Sequence, residues 1–479
     1  MDLEEAQRMT AKLSRELDAR AQEVEKHQKY LKGESGQLKY ASSKFKEYFD
    51  KQFNGFSDNW CLPVAQAPAE RMRVLGLRPY EQTSGVDKEL EYIWNANDAE
   101  GESSGGFLSM GATGYALTLV HPDGTGPDGV PGLTWEKPET AIVDTDPVTH
   151  RDRAGLVAWR DDKVDYATLY TPDWICKFKR ETSQDRFEQK DVRLLLSGGW
   201  VPRTDDPADS ITKNPLGEVP LTELRNQSIL LDEPISDISG VEALQDAANL
   251  VWAYLLNGLD QASLAARVVT GADLPKTPVL DKNGQVTGYR DVPLDELMQE
   301  RILWIPGNTA GSDVKIAEWS AANLEAFSNV IERIVEHIAA QTRTPPHYLV
   351  AKMVNTAAES LNIAEAGLVS KTRERTMNAS RGLKKTHRLM ARAKGMSEDK
   401  VRAISAGRII WDQIQYRSES QMADVVTKLR SAGFPLEYIV ERIAQDPGEV
   451  TRIMDMVEAE RRLDPLQTIQ RVMQQGELV

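Results

Sequence analysis

Residues 324–349, LEAFSNVIERIVEHIAAQTRTPPHYL, decide the fold of this chain, because a helical pattern runs directly into two prolines. Apolar side chains recur there at steps of three or four and predict one buried helix face: Leu324, Phe327, Ile331, Ile334 and Ile338. Glu325, Glu332 and Glu336 fall away from that face and give the helix an acidic edge. Pro345 and Pro346 lack amide donors and disfavour helical backbone at Thr344. The helix should therefore end near Thr342 or Arg343.

A second, longer helix is predicted after this loop. Thr356 and Glu359 have the spacing of a capping box, in which two side chains satisfy backbone amides at a helix start. The apolar stripe that follows consists of Ala357, Leu361, Ala364 and Leu368. A helix, a stiff loop and a longer helix are also typical of a helical hairpin in a protein core, so the spacing alone does not identify a function.

The rest of the chain predicts an α+β, mainly helical protein. The first 50 residues carry a helical pattern at Leu3, Ala6, Met9, Leu13 and Leu17, and an outer helix is expected there. Short apolar runs such as GYALTLV and DYATLY follow, cut by turn residues, as in a domain that contains a sheet. A helix after Gly240 is expected to stop near Asn257–Gly258 and to resume through Leu264.

Two further patterns complete the organisation. Between residues 267 and 316, prolines and an Asn283–Gly284 turn separate the strand candidates Val268–Val269 and Ile302–Ile305, which predicts a small β-rich insertion. Near the end, a Ser418 and Gln421 capping box, Gly433, Pro435 and Asp446–Pro447 mark the boundaries of three short helices.

Composition limits the function classes. The chain has 479 residues, 41% of them hydrophobic and 27% charged, which predicts roughly three folded domains. Its formal net charge of −15 has the wrong sign for a protein whose whole surface binds nucleic acid. Cys61 and Cys176 lie far apart and are expected to be buried, unpaired and in a reducing compartment. Residues 250–256, the longest apolar run, are too few to cross a membrane, and the charged start at Met1 does not read as a signal peptide.

Enzymatic chemistry is weakly indicated. No Gly-Lys dipeptide occurs, which excludes a Walker A loop for nucleotide phosphates. Asp173, Glu188 and Lys190 have the spacing of a metal-dependent nuclease, but such patterns arise easily in a chain rich in charge. The six histidines lack the spacing of metal ligands, so no catalytic residue, metal ion or cofactor is expected.

Basic side chains cluster between Lys371 and Lys394. They fall on more than one helical face: Arg373, Arg375, Arg381, Lys384, Lys385, Arg388 and Arg392. In an acidic chain such a cluster more often neutralises carboxylates of its own or a neighbouring subunit, although direct contact with DNA stays an alternative.

Six segments, in order, carry a family resemblance. They are NWCLPVAQAPAERMRVLGLRPY (59–80), EYIWNANDAEGESSGGFLSMGATGYALTLV (91–120), EVPLTELRNQ (218–227), ALQDAANLVWAYL (243–255), IAAQTRTPPHYLVAKMVNTAAESLNIAEAGLVSKTRERT (338–376) and WDQIQYRSESQMADVVTKLRSAGFPLEYIVERIAQDPGEVTRIMDM (411–456). Together they resemble the portal proteins of tailed double-stranded DNA bacteriophages, particularly those of siphophages that infect actinobacteria. One departure is Ala357-Ala358-Glu359-Ser360-Leu361, where relatives often carry Ser-Ala-Glu-Ala-Leu; it leaves the cap and the stripe intact.

The resemblance implies a portal-like architecture of wing, stem, clip and crown that assembles as a ring. The implied ranges are an N-terminal helical region at 1–50, a wing at 51–236, a first stem helix at 237–266, a clip at 267–316, a second stem helix at 317–342, a channel loop at 343–355, a long wing helix and following segment at 356–417, and a helical crown at 418–479.

The resemblance also implies a function. A portal is a dodecameric channel at one capsid vertex, used for DNA packaging, retention and ejection; its expected partners are the major capsid protein, the terminase large subunit, a head-tail adaptor protein and the double-stranded DNA in the channel, with no membrane. Glu325, Glu332 and Glu336 would line the stem, and Arg343, His347 and Lys352 would belong to the loop that faces DNA. An acidic wall suits transit, because it repels phosphates. The expected location is the virion, and the host cytoplasm during assembly. The alternatives are a metal-dependent nuclease and an internal scaffolding protein.

Overall fold

The computed structural model describes residues 1–34, 38–53, 56–121, 125–181, 199–204, 206–227, 229–230, 232–263, 267–280, 285–293, 302–305, 314–318, 324–349, 358–415, 419–444 and 447–463. The helices within these ranges are α1 Leu3–Lys32, α2 Ser43–Gln52, α3 Cys61–Ala69, α4 Lys88–Ala96, α5 Ala99–Thr113, α6 Pro207–Ser210, α7 Glu242–Ser263, α8 Leu324–Thr342, α9 Pro346–Leu349, α10 Ala358–Ala393, α11 Glu398–Ser405, α12 Glu419–Ser431, α13 Leu436–Ile443 and α14 Pro447–Leu463.

The strands in the same ranges are β1 Val74–Arg78, β2 Tyr115–His121, β3 Gly132–Glu136, β4 Ala141–Thr145, β5 Asp152–Asp161, β6 Val164–Tyr170, β7 Trp174–Glu181, β8 Val201–Pro202, β9 Ile211–Lys213, β10 Leu221–Arg225, β11 Arg267–Thr270, β12 Lys276–Leu280, β13 Val286–Asp291, β14 Ile302–Ile305, β15 Lys315–Glu318 and β16 Arg408–Trp411. The expected mixture of helices and strands is confirmed. Contacts divide the chain into two compact units, whereas its length predicted roughly three domains.

The first unit comprises residues 1–33, 59–242 and 339–479. It contains an antiparallel sheet in the order β4-β5-β6-β7-β8, with β9 also paired to β7, a three-stranded sheet in the order β10-β2-β3, and the pair β1-β16. The expected N-terminal helix is present as α1. Its apolar face at Ala6, Leu13 and Leu17 is buried in one core with Leu156 and Phe178 of the larger sheet. The helix thus covers one sheet face.

Helix α10 joins the other core of this unit. Leu383, Leu389 and Met390 are fully buried and cluster with apolar residues of α4, α5 and β1. Gly382 brings the helix close to β10, because a Cβ at this position would lie 3.0 Å from the carbonyl oxygen of Glu223. The basic segment predicted from the sequence is therefore a packed helix with one face against a sheet.

The second unit comprises residues 34–58 and 243–338. Phe49 of α2 and Ala253 of α7 are buried together with Leu38, and Trp252 donates from Nε1 to Asp58 Oδ2 at 2.7 Å. Its strands form two small sheets: β11 pairs with β14 in parallel and with β15 antiparallel, and β12 with β13 make an antiparallel hairpin. A β-rich insertion between two helices was predicted, and these strands between α7 and α8 confirm it.

Three helix boundaries differ from those expected. Helix α7 runs without a stop through Asn257–Gly258; Gly258 serves close packing, since a Cβ there would lie 3.1 Å from Leu324 Cδ2. It begins at Glu242, just after Gly240, as predicted. Helix α8 begins at Leu324, later than residue 317, because residues 315–318 pair with β11 as a strand. The segment 343–355, expected as a loop, contains the helical turn α9.

Other local predictions can be compared directly. Cys61 and Cys176 are both buried and free, as predicted. Gly433, with φ +83°, follows α12, Pro435 precedes α13, and α14 begins at Pro447, which confirms these boundaries. The two capping boxes fall partly outside the described residues, because Thr356 and Ser418 lie there. No helix among those described is both long and apolar enough to cross a membrane.

Candidate functional site

The acidic edge predicted for α8 is present. Ile331, Val335 and Ile338 are buried on one face, whereas Glu325, Glu332 and Glu336 are all exposed. Glu332 and Glu336 are one turn apart, a like-charge spacing that costs an isolated helix about 0.2–0.5 kcal/mol. Arg333 and His337, which the apolar pattern does not single out, are also exposed on this helix. The edge is therefore acidic on balance but carries one arginine.

The helix ends in the way the prolines predicted, with one additional feature. Arg343 adopts a left-handed conformation with φ +55°, and the amide of Thr344 donates to the carbonyl oxygen of Ala339 at 3.0 Å. This is the hydrogen bond of a Schellman cap, which satisfies a carbonyl that the helix leaves without a partner. The Arg343 side chain is exposed, while Thr344 is buried. The helix thus ends where the two prolines predicted, and it ends in a defined capping turn at Arg343 and Thr344.

His347 is held by the long helix. Its Nε2 atom lies 3.8 Å from Glu365 Oε1 on α10, and its ring contacts that of Tyr348. Arg71 contacts the same carboxylate and also donates to the Tyr348 hydroxyl. This histidine therefore has a structural partner, and its side chain is only partly exposed. Lys352, the third residue of the predicted loop set, lies outside the described residues.

The basic residues of α10 pair with carboxylates that are far away in sequence. Arg375 and Lys371 both contact Asp237, Lys385 contacts Asp152, and Arg388 and Arg392 contact Glu218. Burial lowers the pKa of Lys371 and Lys385, and the neighbouring carboxylates oppose that shift. These contacts favour the reading in which the cluster neutralises carboxylates of its own subunit. The sequence signalled the bases as a cluster but gave no signal for Asp152, Glu218 or Asp237.

A groove of about 950 Å³ lies where α10 faces β10 and the turn before β5. Among the described residues, six cationic side chains line it: Arg151, Arg225, Arg381, Lys385, Arg388 and Arg392. Three carboxylates lie among them, those of Asp152, Glu218 and Glu223. The lining therefore has a formal net charge of +3, in a chain whose total is −15.

The nuclease-like set is not assembled by the residues that the structure describes. Asp173 lies in the turn before β7, but Glu188 and Lys190 fall in the segment 182–198 outside the described ranges. Among the described side chains, no group of three or more His, Cys, Asp or Glu residues could hold a metal ion.

Comparison with known sequences gives one consistent result. The sequence profile described as "Phage portal protein, SPP1 Gp6-like" matches residues 10–460. The portal protein of Mycobacterium phage D29 is 27% identical over 315 residues, which cover 63% of this chain and 58% of that protein. The portal protein of Mycobacterium phage L5 is 27% identical over 321 residues, which cover 64% and 59% respectively. The match thus spans less than two thirds of the length of either relative.

Proposed function

Since the chain belongs to the SPP1 Gp6-like family of phage portal proteins, we propose that it forms a ring at one vertex of the capsid, through which DNA is packaged, retained and ejected. The observation that carries this proposal is the profile match over residues 10–460, which extends across both compact units. In this proposal twelve copies assemble, the sheet-containing first unit supplies the wing, the residues near the C-terminus supply the crown, and β11–β15 supply the clip.

The proposed stem consists of α7 and α8. Exposure of Glu325, Glu332 and Glu336 supports a role for α8 as the channel wall, since exposed carboxylates repel phosphates and weaken nonspecific DNA binding. A wall of this kind lets DNA slide. The segment 343–355 would be the channel loop, with Arg343, His347 and Lys352 as the residues nearest DNA. The exposed Arg343 fits that role better than His347, which faces Glu365.

The proposed partners follow from the same role. The clip would hold the terminase large subunit during packaging and later a head-tail adaptor protein, while the wing would contact the major capsid protein. The protein would act without catalysis, as a virion component that assembles in the host cytoplasm. Neither the nuclease nor the scaffolding alternative has a specific observation in its favour.

Imaging the purified protein by negative-stain electron microscopy tests the proposal. We expect rings with a central hole and a mass near twelve times 53.5 kDa, about 640 kDa, by light scattering. Twelve copies multiply the −15 charge of each chain, so assembly should improve as salt screens the repulsion. A protein that stays monomeric at every salt concentration would contradict the proposal.

A further inference from the structure

Two arginines in the groove between α10 and β10 have no partner among the residues that the structure describes. The other four groove cations each pair with a groove carboxylate: Arg225, Lys385, Arg388 and Arg392. Arg151 and Arg381 are exposed, and within the described part of the chain their side chains make no hydrogen bond or ion pair. These two residues therefore carry two of the three excess positive charges of the groove, and the third arises because Arg388 and Arg392 share Glu218.

The rim of the same groove is apolar. Leu230 is 91% exposed and Met377 is 74% exposed, and both line the groove. Leu230 also has φ +54°, a conformation that a leucine rarely adopts. Exposed apolar side chains around a polar centre are typical of a surface that buries them against another protein, whereas a phosphate backbone offers nothing apolar in return.

From this geometry we infer that the groove is a docking site for an acidic segment of a second copy of this chain, with Arg151 and Arg381 as the charged anchors and Leu230 and Met377 as the apolar contacts. The inference rests on the proposed ring, because only an assembly of identical copies places a second chain at every groove.

Charge complementarity selects this occupant. The groove lining has a formal net charge of +3 and the whole chain −15, so the residues outside the groove carry a net charge of −18. Another copy therefore presents a mainly anionic surface. DNA is disfavoured because its phosphate backbone would leave the exposed side chains of Leu230 and Met377 uncovered. An anionic protein segment can place its carboxylates on Arg151 and Arg381 and its apolar side chains on the rim.

A double variant, Arg151→Glu with Arg381→Glu, tests the charged anchors. We expect the protein concentration needed for half-assembly to rise at least tenfold at low salt, and the difference from wild type to shrink as salt increases. A matched control is Arg402→Glu with Arg430→Glu, which makes the same charge change at exposed helical positions outside the groove and should assemble like wild type. Circular dichroism shows whether each variant folds.

A second variant tests the apolar rim. Leu230→Ser with Met377→Ser should also weaken assembly, but by a factor that does not depend on salt, because no charge changes. A photo-crosslinking residue placed at position 378, which lines the groove and leaves both anchors in place, should give an adduct of twice the chain mass in wild-type-sized rings.

The outcomes separate this inference from the proposed function. If wild type forms no rings, the proposed function is wrong, and the docking site, which depends on the ring, is wrong as well. If wild type forms rings and the Arg151→Glu, Arg381→Glu variant assembles like its control, the ring stands and the docking site is wrong. If that variant assembles normally but loses retention of a DNA duplex on a filter, the groove is a phosphate site and the inference is also overturned.

Discussion

Arg375 and Asp237 form a buried ion pair in which the arginine donates from Nη2 to Oδ1 at 2.6 Å and from Nε to the same oxygen at 3.1 Å. Only 5% and 1% of the two side chains is exposed. Asn226 donates to the same carboxylate at 3.0 Å, and the amide of Asp237 donates to the carbonyl oxygen of Gly111. Asp237 thus connects α10 and the residue after β10 through its carboxylate, and α5 through its backbone amide.

Replacing this carboxylate should destabilise the protein strongly. Asp237→Ala removes the carboxylate partner of buried Lys371 and leaves Arg375 with only the half-exposed Glu374 at 3.7 Å. Breaking a buried pair from one side typically costs about 3–5 kcal/mol. Urea unfolding at fixed protein concentration would measure the loss. The control is Asp424→Ala, which removes an exposed pair with Lys428 and should cost less than about 0.5 kcal/mol. Equal stability of the two variants would show that the Asp237 pair does not anchor α10.

The stability of the fold should depend on pH through His387. This residue is buried, stacks on Trp94 and bonds through Nδ1 to the carbonyl oxygen of Leu383, and burial lowers its pKa to about 4. An unfolded histidine has a pKa near 6.5, so between pH 6.5 and 4 the unfolded chain binds the proton and the folded chain does not. Unfolding free energy should therefore fall by about 3 kcal/mol as pH drops through this window, at about 1.36 kcal/mol per pKa unit.

The variant His387→Phe isolates that contribution. Phenylalanine keeps an aromatic ring against Trp94 but does not titrate, so the variant should lose less free energy of unfolding than wild type between pH 6.5 and 4. His337→Gln, which removes an exposed histidine of α8, serves as the control for the loss of one imidazole. If the unfolding free energies of wild type and His387→Phe fall in parallel with pH, His387 is not the cause of the loss.

Two glycines in helices should respond in opposite directions to alanine. A Cβ at Gly382 would lie 3.0 Å from both Glu223 O and Leu224 Cγ, so Gly382→Ala should push α10 off β10 and cost about 1–3 kcal/mol. At Gly105 nothing lies within 4 Å of such a Cβ, and Gly105→Ala should stabilise α5 by up to about 1 kcal/mol. Thermal unfolding of both variants measures the two changes in stability. A Gly382→Ala variant as stable as wild type would show that α10 can move away from β10 at no cost.

The proposed channel wall can be tested by charge. Changing Glu325, Glu332 and Glu336 to Gln should leave rings intact but increase their affinity for duplex DNA, with the largest gain at low salt, because phosphate repulsion is removed. Glu81, Glu398 and Glu437 are exposed outside α8, and changing these three to Gln makes the same charge change as a control. Indistinguishable DNA binding by the two triple variants would remove the α8 glutamates from the channel wall.

The proposed channel loop has its own test. Lys352→Glu should leave ring assembly intact yet impair DNA packaging or retention, because it replaces a positive charge near the phosphates by a negative one. Lys394→Glu, at an exposed position just after α10, is the matched control. Wild-type packaging and retention by Lys352→Glu, in rings of normal size, would exclude Lys352 from the residues that face DNA.

The sequence by itself determined features whose causes lie within a few residues. The spacing of Leu324, Ile331 and Ile338 predicted the buried face of α8, because the helix period acts over one or two turns. Pro345 and Pro346 predicted an end near Thr342 or Arg343, and the helix ends at Thr342. The β-rich insertion followed for the same reason, since its strands are short and bounded by turn residues.

Tertiary structure decided what depends on distant partners. Gly258 was predicted to stop a helix, yet it lies inside α7, where Leu324 packs against it from 66 residues away. The contacts of α10 with Asp237, Asp152 and Glu218 join residues 138, 233 and 170 positions apart. A local pattern can show that bases cluster on a helix, but only the folded chain determines which carboxylates reach them, and hence that Arg151 and Arg381 keep uncompensated charge in the groove.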